Sequence, residues 1–260
     1  MDLRLDGNAA LVTASSSGLG FASAASLAAE GANVVICGRT PARLEEAEAS
    51  LAEAPGEVLA VEADVTDRED VAALVEATVE EFGGLDHVVT SAGGVPPGTF
   101  DETTDDQWRD AFDTLVMSAV WTLREARPHL IDSDAGTVTC ITSTSVREAI
   151  DGLVLSNAVR RTVVGLVKTI AREWAPAVRA NAVLPGAHET ARIEELVEDA
   201  LDRGEYDSYE EGVGDWASDI PLDRIGDPQE LGDVVAFLSS ERASFVNGAA
   251  LPVDGGRLRS

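Results

Sequence analysis

Short apolar runs alternate with amphipathic stretches from one end of the chain to the other. The runs AALVT (9–13), NVVIC (33–37), EVLAVEA (57–63), LDHVVT (85–90), GTVTCIT (136–142), VRANAVL (178–184) and AALPV (249–253) read as strands. Helical patterns begin near residues 18, 41, 67, 104, 152 and 228. Short continuous apolar strands separated by helices predict a parallel sheet covered on both faces and joined by right-handed crossovers. No linker or repeat interrupts the rhythm, so residues 1–260 read as one doubly wound α/β domain of about seven strands. Residues 186–220 are longer and more polar than a simple crossover. They follow a strand at its carboxyl end, where such sheets bind ligands, so the segment is expected to be a helical substrate lid. The alternative is a solvated helical hairpin.

Composition changes this picture in one respect. The 260 residues carry 47 acids against 19 basic groups, a net charge of −28. The single lysine is Lys168, and the other basic residues are arginines. The acids recur along helix faces, as in ARLEEAEASLAEA, rather than in a tail. One reading is an acidic surface for a cationic partner. The reading favoured here is a cytoplasm of high salt, where screening makes such self-repulsion tolerable. A nucleic-acid partner calls for the opposite sign and is not expected. No apolar run reaches the ~18 residues of a membrane span. No signal peptide is expected at the N-terminus, which lacks a basic segment followed by an apolar one. The only cysteines, Cys37 and Cys140, fall in apolar runs, which fits a reduced cytoplasmic protein. No metal site is expected.

The first strand is followed by TASSSGLG, Thr13–Gly20, at the opening of the first helix. Glycines at such a turn let the backbone approach a pyrophosphate, and the helix N-terminus supplies free N–H groups and positive potential. Further on stand Asp64-Val65 after the third strand and Ser91-Ala92-Gly93 after the fourth. Pro185-Gly186, followed by Thr190, comes after the sixth, and the tail runs PLDRIGDPQELGDVVAFLSSERASFVNGAALPVDGG.

In order and spacing these elements resemble the short-chain dehydrogenase/reductase family over essentially the whole chain, implying a Rossmann-type fold and a nicotinamide cofactor. The family's T-G-x-x-x-G-x-G turn is kept at Thr13, Gly18 and Gly20, with Ala14 in place of the first glycine. By resemblance the cofactor contacts are Thr13, Ser15, Ser16, Ser17, Gly18, Leu19, Gly20, Arg39, Asp64, Val65, Ser91, Ala92, Gly93, Pro185, Gly186 and Thr190. NAD users carry an acid at the end of the second strand, whereas an arginine suits the 2′-phosphate of NADP. Here Gly38 holds the acid's place and Arg39 follows, so NADP(H) is favoured over NAD(H). The alternative is a solvated arginine at a helix start, and Ser17 stands where many NADP users carry a second basic residue.

The family's catalytic set is Asn, Ser, Tyr and Lys. Tyr protonates the developing alkoxide, Lys tunes that tyrosine and holds the ribose, Ser steadies the oxygen, and Asn anchors a water relay. The resemblance aligns Asn with Leu115, Tyr with Leu155 and Lys with Val159. Ser143 then lies 12 residues before Leu155, where the family spacing is usually 13, so a one-residue deletion is assumed; Thr142 fits without a gap. Three of the four groups are therefore expected to be missing. Replacement chemistry is sought from Ser143, Thr142, His188, Arg147 and Tyr209. His188 and Glu189 fall beside the expected nicotinamide, Tyr206 and Tyr209 are the only tyrosines, and Arg147 suits a carboxylate. The expected function is alcohol/ketone interconversion on a small polar substrate. The alternatives are a catalytically inactive nucleotide binder with a regulatory or assembly role, and a non-redox enzyme on the same fold. Arg147, Arg160, Arg161 and Arg192 hint at an anionic substrate. The family's habit implies a dimer or tetramer, and Val154, Ala158, Thr162, Gly165 and Thr169 align along one side of the fifth long helix.

Overall fold

The computed structural model describes residues 1–259, and the side chain of Arg192 lies outside the described residues. Seven parallel strands form one sheet: β1 (Ala9–Val12), β2 (Asn33–Gly38), β3 (Val58–Glu62), β4 (His87–Thr90), β5 (Thr137–Ile141), β6 (Arg179–Pro185) and β7 (Ala250–Val253). Their spatial order is β3-β2-β1-β4-β5-β6-β7. The chain crosses from β3 over β1 to β4, so the direction of winding reverses beside β1. Ligands bind at that kind of switch point, at the carboxyl ends of the strands. Each expected strand lies within two residues of its place.

The apolar face of each helix decides its side of the sheet. On one side, α1 (Gly18–Ala29), α2 (Pro41–Leu51) and α9 (Pro228–Ser239) bury Leu27, Leu44, Leu231 and Val235 against Val34, Ile36 and Val12. On the other, α3 (Arg68–Phe82), α5 (Ser118–Asp132) and α6 (Val154–Glu173) bury Leu74, Leu123, Val159 and Val163 against Val35, Val88 and Val138. The helical pattern read from residue 104 splits in two. α4 (Asp105–Phe112) passes through a π-helical turn, Asp113–Met117, into α5. The extra residue in such a turn shifts the side chains beyond it, and these turns gather at functional sites.

Residues 186–220 carry two helices, α7 (Ala191–Asp202) and α8 (Tyr209–Ser218). They surround a small third core of Ala187, Ile193, Val197, Ile220 and Ile225, with Trp216 packed on it.

Candidate active site

A groove of about 660 Å³ opens along the carboxyl ends of the strands. Its floor is the turn into α1. Gly18 sits at φ 60°. A side chain at Gly20 would place Cβ 2.5 Å from the Ala14 carbonyl oxygen, so the turn tolerates only glycine there. Ala14 itself holds φ 46°, a left-handed conformation that an L side chain adopts at a cost. The turn thus keeps the shape of a glycine turn although its first glycine is gone. Ser17, Gly18, Leu19 and Gly20 line the groove. Thr190 lines it too, and its methyl lies 3.7 Å from where a Gly18 Cβ would stand. Ser91, Ala92, Gly93, Pro185 and Gly186 complete this half.

Several expected contacts play a different part. Thr13 is buried; its hydroxyl donates to the Ser91 carbonyl at 2.7 Å and accepts from the Ser91 N–H at 2.9 Å. That pair locks the two turns together. Ser15 is sealed between β1 and β2, donating to the Val12 carbonyl and accepting from the Cys37 N–H. Val65 belongs to the core. These three support the groove from behind because their side chains point away from it.

Ser16, Arg39 and Asp64 lie outside the groove's lining, where β2 and β3 end. A side chain on Gly38 would meet Ser16 Oγ at 2.7 Å, so the serine occupies the acid's place. Arg39 is largely exposed, its Nη1 3.8 Å from Asp64 Oδ2. Burial raises the Asp64 carboxyl, but two hydrogen bonds from Thr66 and the Arg39 charge hold it below its usual range overall.

The catalytic wall requires a correction. Leu155 and Val159, aligned with Tyr and Lys, are 0% and 6% exposed and belong to the core. On α6 it is their neighbours Ser156 and Arg160, one helical turn apart, that face the groove. Ser143 lies 13 residues before Ser156, the spacing that the resemblance gives without a deletion. Thr142 then falls out of register, and its hydroxyl is spent on the Val183 carbonyl at 2.9 Å. Ser143 Oγ accepts from the Ser145 N–H at 3.1 Å, and Ser145 Oγ lies 3.3 Å from Ser156 Oγ. Arg160 reaches toward the carbonyls of Thr142 and Gly93, at 3.5 and 3.4 Å. Asn157 pins the preceding loop by bonding both the N–H and the carbonyl of Ile150.

Leu115, which the resemblance aligns with Asn, lies within the π-helical turn and is buried. The gap beside it is about 10 Å³, at the lower bound for one water.

Two expected catalytic groups are not brought to the groove. Tyr209 is exposed on the outer end of α8, since its helix turns Val213 and Trp216 inward. Arg147 donates to the Ala250 carbonyl and borders a separate hollow with Arg161. Tyr206, bonded to Asp215 and pushed up to about 12 chiefly by that bond, is also outside the lining. His188 does line the groove, yet it is 4% exposed and its ring covers Gly226. Burial lowers its affinity for a proton, against the opposing pull of the Gly186 carbonyl, Glu230 and Asp227. Sequence reasoning missed Trp216 and Arg257, which also line the groove. The helical spacing of Trp216 from Val213 was a readable signal for the first; the tail's position had none.

Residues 13–257 match the family model described as enoyl-(acyl carrier protein) reductase. The chain belongs to the short-chain dehydrogenase/reductase family. It is 30% identical over 256 residues to 3-oxoacyl-[acyl-carrier-protein] reductase FabG of Thermotoga maritima, covering 98% of this chain and 99% of that one. It is 31% identical over 254 residues to 2,5-dichloro-2,5-cyclohexadiene-1,4-diol dehydrogenase LinX of Sphingobium indicum, covering 97% of each. Among solved structures, L-sorbose reductase from Gluconobacter frateurii, complexed with NADPH and L-sorbose, superimposes with a TM-score of 0.94 at 32% identity over the whole of both chains. An actinorhodin polyketide ketoreductase variant with NADPH gives 0.92 at 30% identity, covering 97% of this chain and 98% of that one. No described helix is long and apolar enough to cross a membrane, and no metal-holding cluster occurs among the described residues.

Proposed function

We propose that this protein is an NADP(H)-dependent oxidoreductase that interconverts an alcohol and a carbonyl on a small polar substrate. Ser143, Ser156 and Arg160 stand in for the family's Ser, Tyr and Lys. The observation that carries this reading is the convergence of those three side chains on one wall of the groove, facing the glycine turn and Thr190.

The cradle fits a dinucleotide. Gly20 leaves the backbone open to a pyrophosphate at the start of α1, and Thr190 closes over the turn. Ser16 filling the acid's place and Arg39 beside it favour the 2′-phosphate. When bound, the cofactor supplies or accepts hydride. The chain's own work is to hold the substrate oxygen. Ser143 Oγ–H and Ser156 Oγ–H are donors for that oxygen, and the permanent charge of Arg160 offsets the negative charge developing there. Arginine does not give up a proton, so the Ser156 hydroxyl acts only as a relay, passing its proton to the oxygen while taking one from solvent water at the groove mouth. The helices α7 and α8 act as the lid, excluding water with Ile193, Leu196 and Trp216.

One observation favours a second reading. Burial leaves His188 reluctant to hold a proton, and neither tyrosine lies in the groove, so the wall lacks a strong proton donor. A nucleotide-binding protein without hydride transfer fits that lack.

The net charge of −28 fits adaptation to a high-salt cytoplasm. Assembly into a dimer or tetramer belongs to the same proposal. Ala158, Thr162, Gly165 and Thr169 form an exposed stripe on α6, open to a second copy.

The first experiment titrates NADPH and NADH in molar KCl, reading tryptophan fluorescence and thermal shift. Trp216 in the groove makes the fluorescence a direct reporter. Tight NADPH binding followed by turnover of a ketose or keto acid is the expected result. NADPH binding with no turnover across that panel selects the second reading, and no binding by folded protein overturns both.

A further inference from the structure

The C-terminal tail carries a cation, Arg257, into the groove. Arg257 lines the groove, half buried, with its guanidinium 5.6 Å from the ring centroid of Trp216 on α8. The tail is fixed on both sides of this residue. A Cβ on Gly255 would stand 2.5 Å from the Ile220 side chain, and Gly256 rests on Pro221. Beyond it, the Leu258 N–H donates to Asp254 Oδ2 at 2.9 Å and the Arg259 N–H to Glu148 Oε1 at 3.0 Å. The tail therefore straps the end of the lid segment to the loop before α6, and Arg257 hangs from the middle of the strap.

Arg4, Arg39, Arg68, Arg109, Arg203 and Arg224 each have a carboxylate partner. Arg257 shows none among the described residues; neither do Arg43, Arg124, Arg127, Arg172, Arg179, Arg242 and Arg259, but unlike these it lines the groove. The carboxylates of the lining are otherwise placed: Asp227 caps α9, and Glu189 and Glu194 are exposed. A guanidinium held over an indole face by the cation–π attraction keeps its N–H groups available for a planar anion.

We infer that Arg257, held over Trp216, is the specificity residue for a carboxylate or other planar anionic group of the substrate, so the substrate is a keto or hydroxy acid and not a neutral ketone. This deepens the oxidoreductase reading and rests on it. The overall field of the protein repels anions, so a preference for a charged substrate has to come from direct contact.

The test compares acetoacetate with methyl acetoacetate, and 2-oxoglutarate with its dimethyl ester, on NADPH-saturated protein in molar KCl. Binding is read by thermal shift and Trp216 fluorescence, and turnover by NADPH absorbance. At this ionic strength the Debye length is about 3 Å, so only contact-range charge survives. Wild type is expected to prefer the acid of at least one pair by tenfold or more. Arg257→Gln should abolish that preference through KM, with kcat changed less than threefold, and Arg257→Lys should restore part of it. NADPH affinity and melting temperature are measured on the same samples. No preference for the acid in either pair, or a preference that survives Arg257→Gln in folded protein, overturns the assignment. If NADPH fails to bind wild type, the oxidoreductase reading itself falls, and the two failures stay distinct.

Discussion

Leu155 and Ser156 are adjacent in the chain but face different surroundings. The leucine is sealed in the core beneath α6, and the serine opens into the groove. One turn later the same division separates Val159 from Arg160. A helix rotates 100° per residue, so an alignment slipped by one position exchanges the core face for the site face.

That division makes the register testable. Arg160→Ala is expected to lower kcat roughly 10²-fold, the usual loss when one stabilising group is taken from a developing oxyanion. Arg160→Lys should keep activity within about tenfold of wild type, because it restores a cation one turn from Ser156. Leu155→Ala should cost about 2–5 kcal/mol of stability through the cavity it leaves, with little effect on the chemistry of the folded fraction. Steady-state kinetics beside denaturant titration separates the outcomes. A collapse of kcat in Leu155→Ala, with Arg160→Ala unaffected, would return the site to the register that aligns Leu155 with Tyr.

Cofactor choice rests on Ser16, Gly38 and Arg39. A charge-assisted hydrogen bond contributes about 1.5–3 kcal/mol, so Arg39→Ala should weaken NADPH binding by about tenfold or more and leave NADH unchanged. Gly38→Asp should act in the same direction with an added penalty, since its Cβ would meet Ser16 Oγ at 2.7 Å. Pairing Gly38→Asp with Ser16→Gly should relieve the clash and swing preference to NADH. Equal losses for both cofactors in Arg39→Ala would mean that the arginine only supports the turn.

Much of this was legible in the sequence. Each strand was short, apolar and bounded by polar turns, so periodicity found all seven. The glycine turn and the Pro185–Thr190 run were legible because backbone demands there restrict residue type. The division between Leu155 and Ser156 was not. Both fit an amphipathic helix, and only packing decides which faces the sheet. The inward side chains of Thr13 and Ser15 were hidden for a related reason: a hydroxyl beside a phosphate turn can bind ligand or backbone, and the sequence is the same. Arg257 was invisible because its neighbour Trp216 is 41 residues away. The π-helical turn at Asp113–Met117 also escaped, since one extra residue in a helix leaves no compositional trace.

The glycine turn carries strain at Ala14, which holds φ 46°. Ala14→Gly removes a penalty of about 1–2 kcal/mol for that conformation but loosens the unfolded chain by about 0.4–1 kcal/mol. The expected net is stabilisation by up to about 1.5 kcal/mol, a rise in melting temperature of a few degrees for a protein of this size. Gly20→Ala drives its Cβ against the Ala14 carbonyl and should weaken NADPH binding at least tenfold. Differential scanning calorimetry and cofactor titration check both. A lower melting temperature in Ala14→Gly would show that the alanine methyl has a packing role that outweighs its backbone strain.

Far from the groove, at the amino end of β4, a buried histidine sets an acid limit on the fold. His87 is fully enclosed, with Nδ1 2.8 Å from Thr137 Oγ1 and Nε2 2.9 Å from Asn8 Nδ2. This arrangement suits a neutral ring that donates from Nδ1 and accepts at Nε2. Burial drives its pKa down to about 4; the nearby Asp86 charge opposes this, and Arg179 adds to it. The folded pKa lies below the ordinary value near 6.5, so the unfolded chain takes up the proton first as pH falls. The contribution of His87 is therefore complete above about pH 6.5, declines between about 6.5 and 4, and levels off below that. Lowering a histidine from about 6.5 to about 4 corresponds to a loss on the order of 3 kcal/mol across that window. Relief of repulsion among the surface carboxylates works the other way as they gain protons, so the reading has to be a difference. Denaturant titrations of wild type and His87→Gln from pH 7.5 to 4 should show the wild-type stability falling relative to the variant across that window. Parallel curves would mean that His87 takes up its proton at the same pH in the folded and unfolded chain, and a wild-type stability that rises relative to the variant as pH falls would mean that the fold holds the ring protonated.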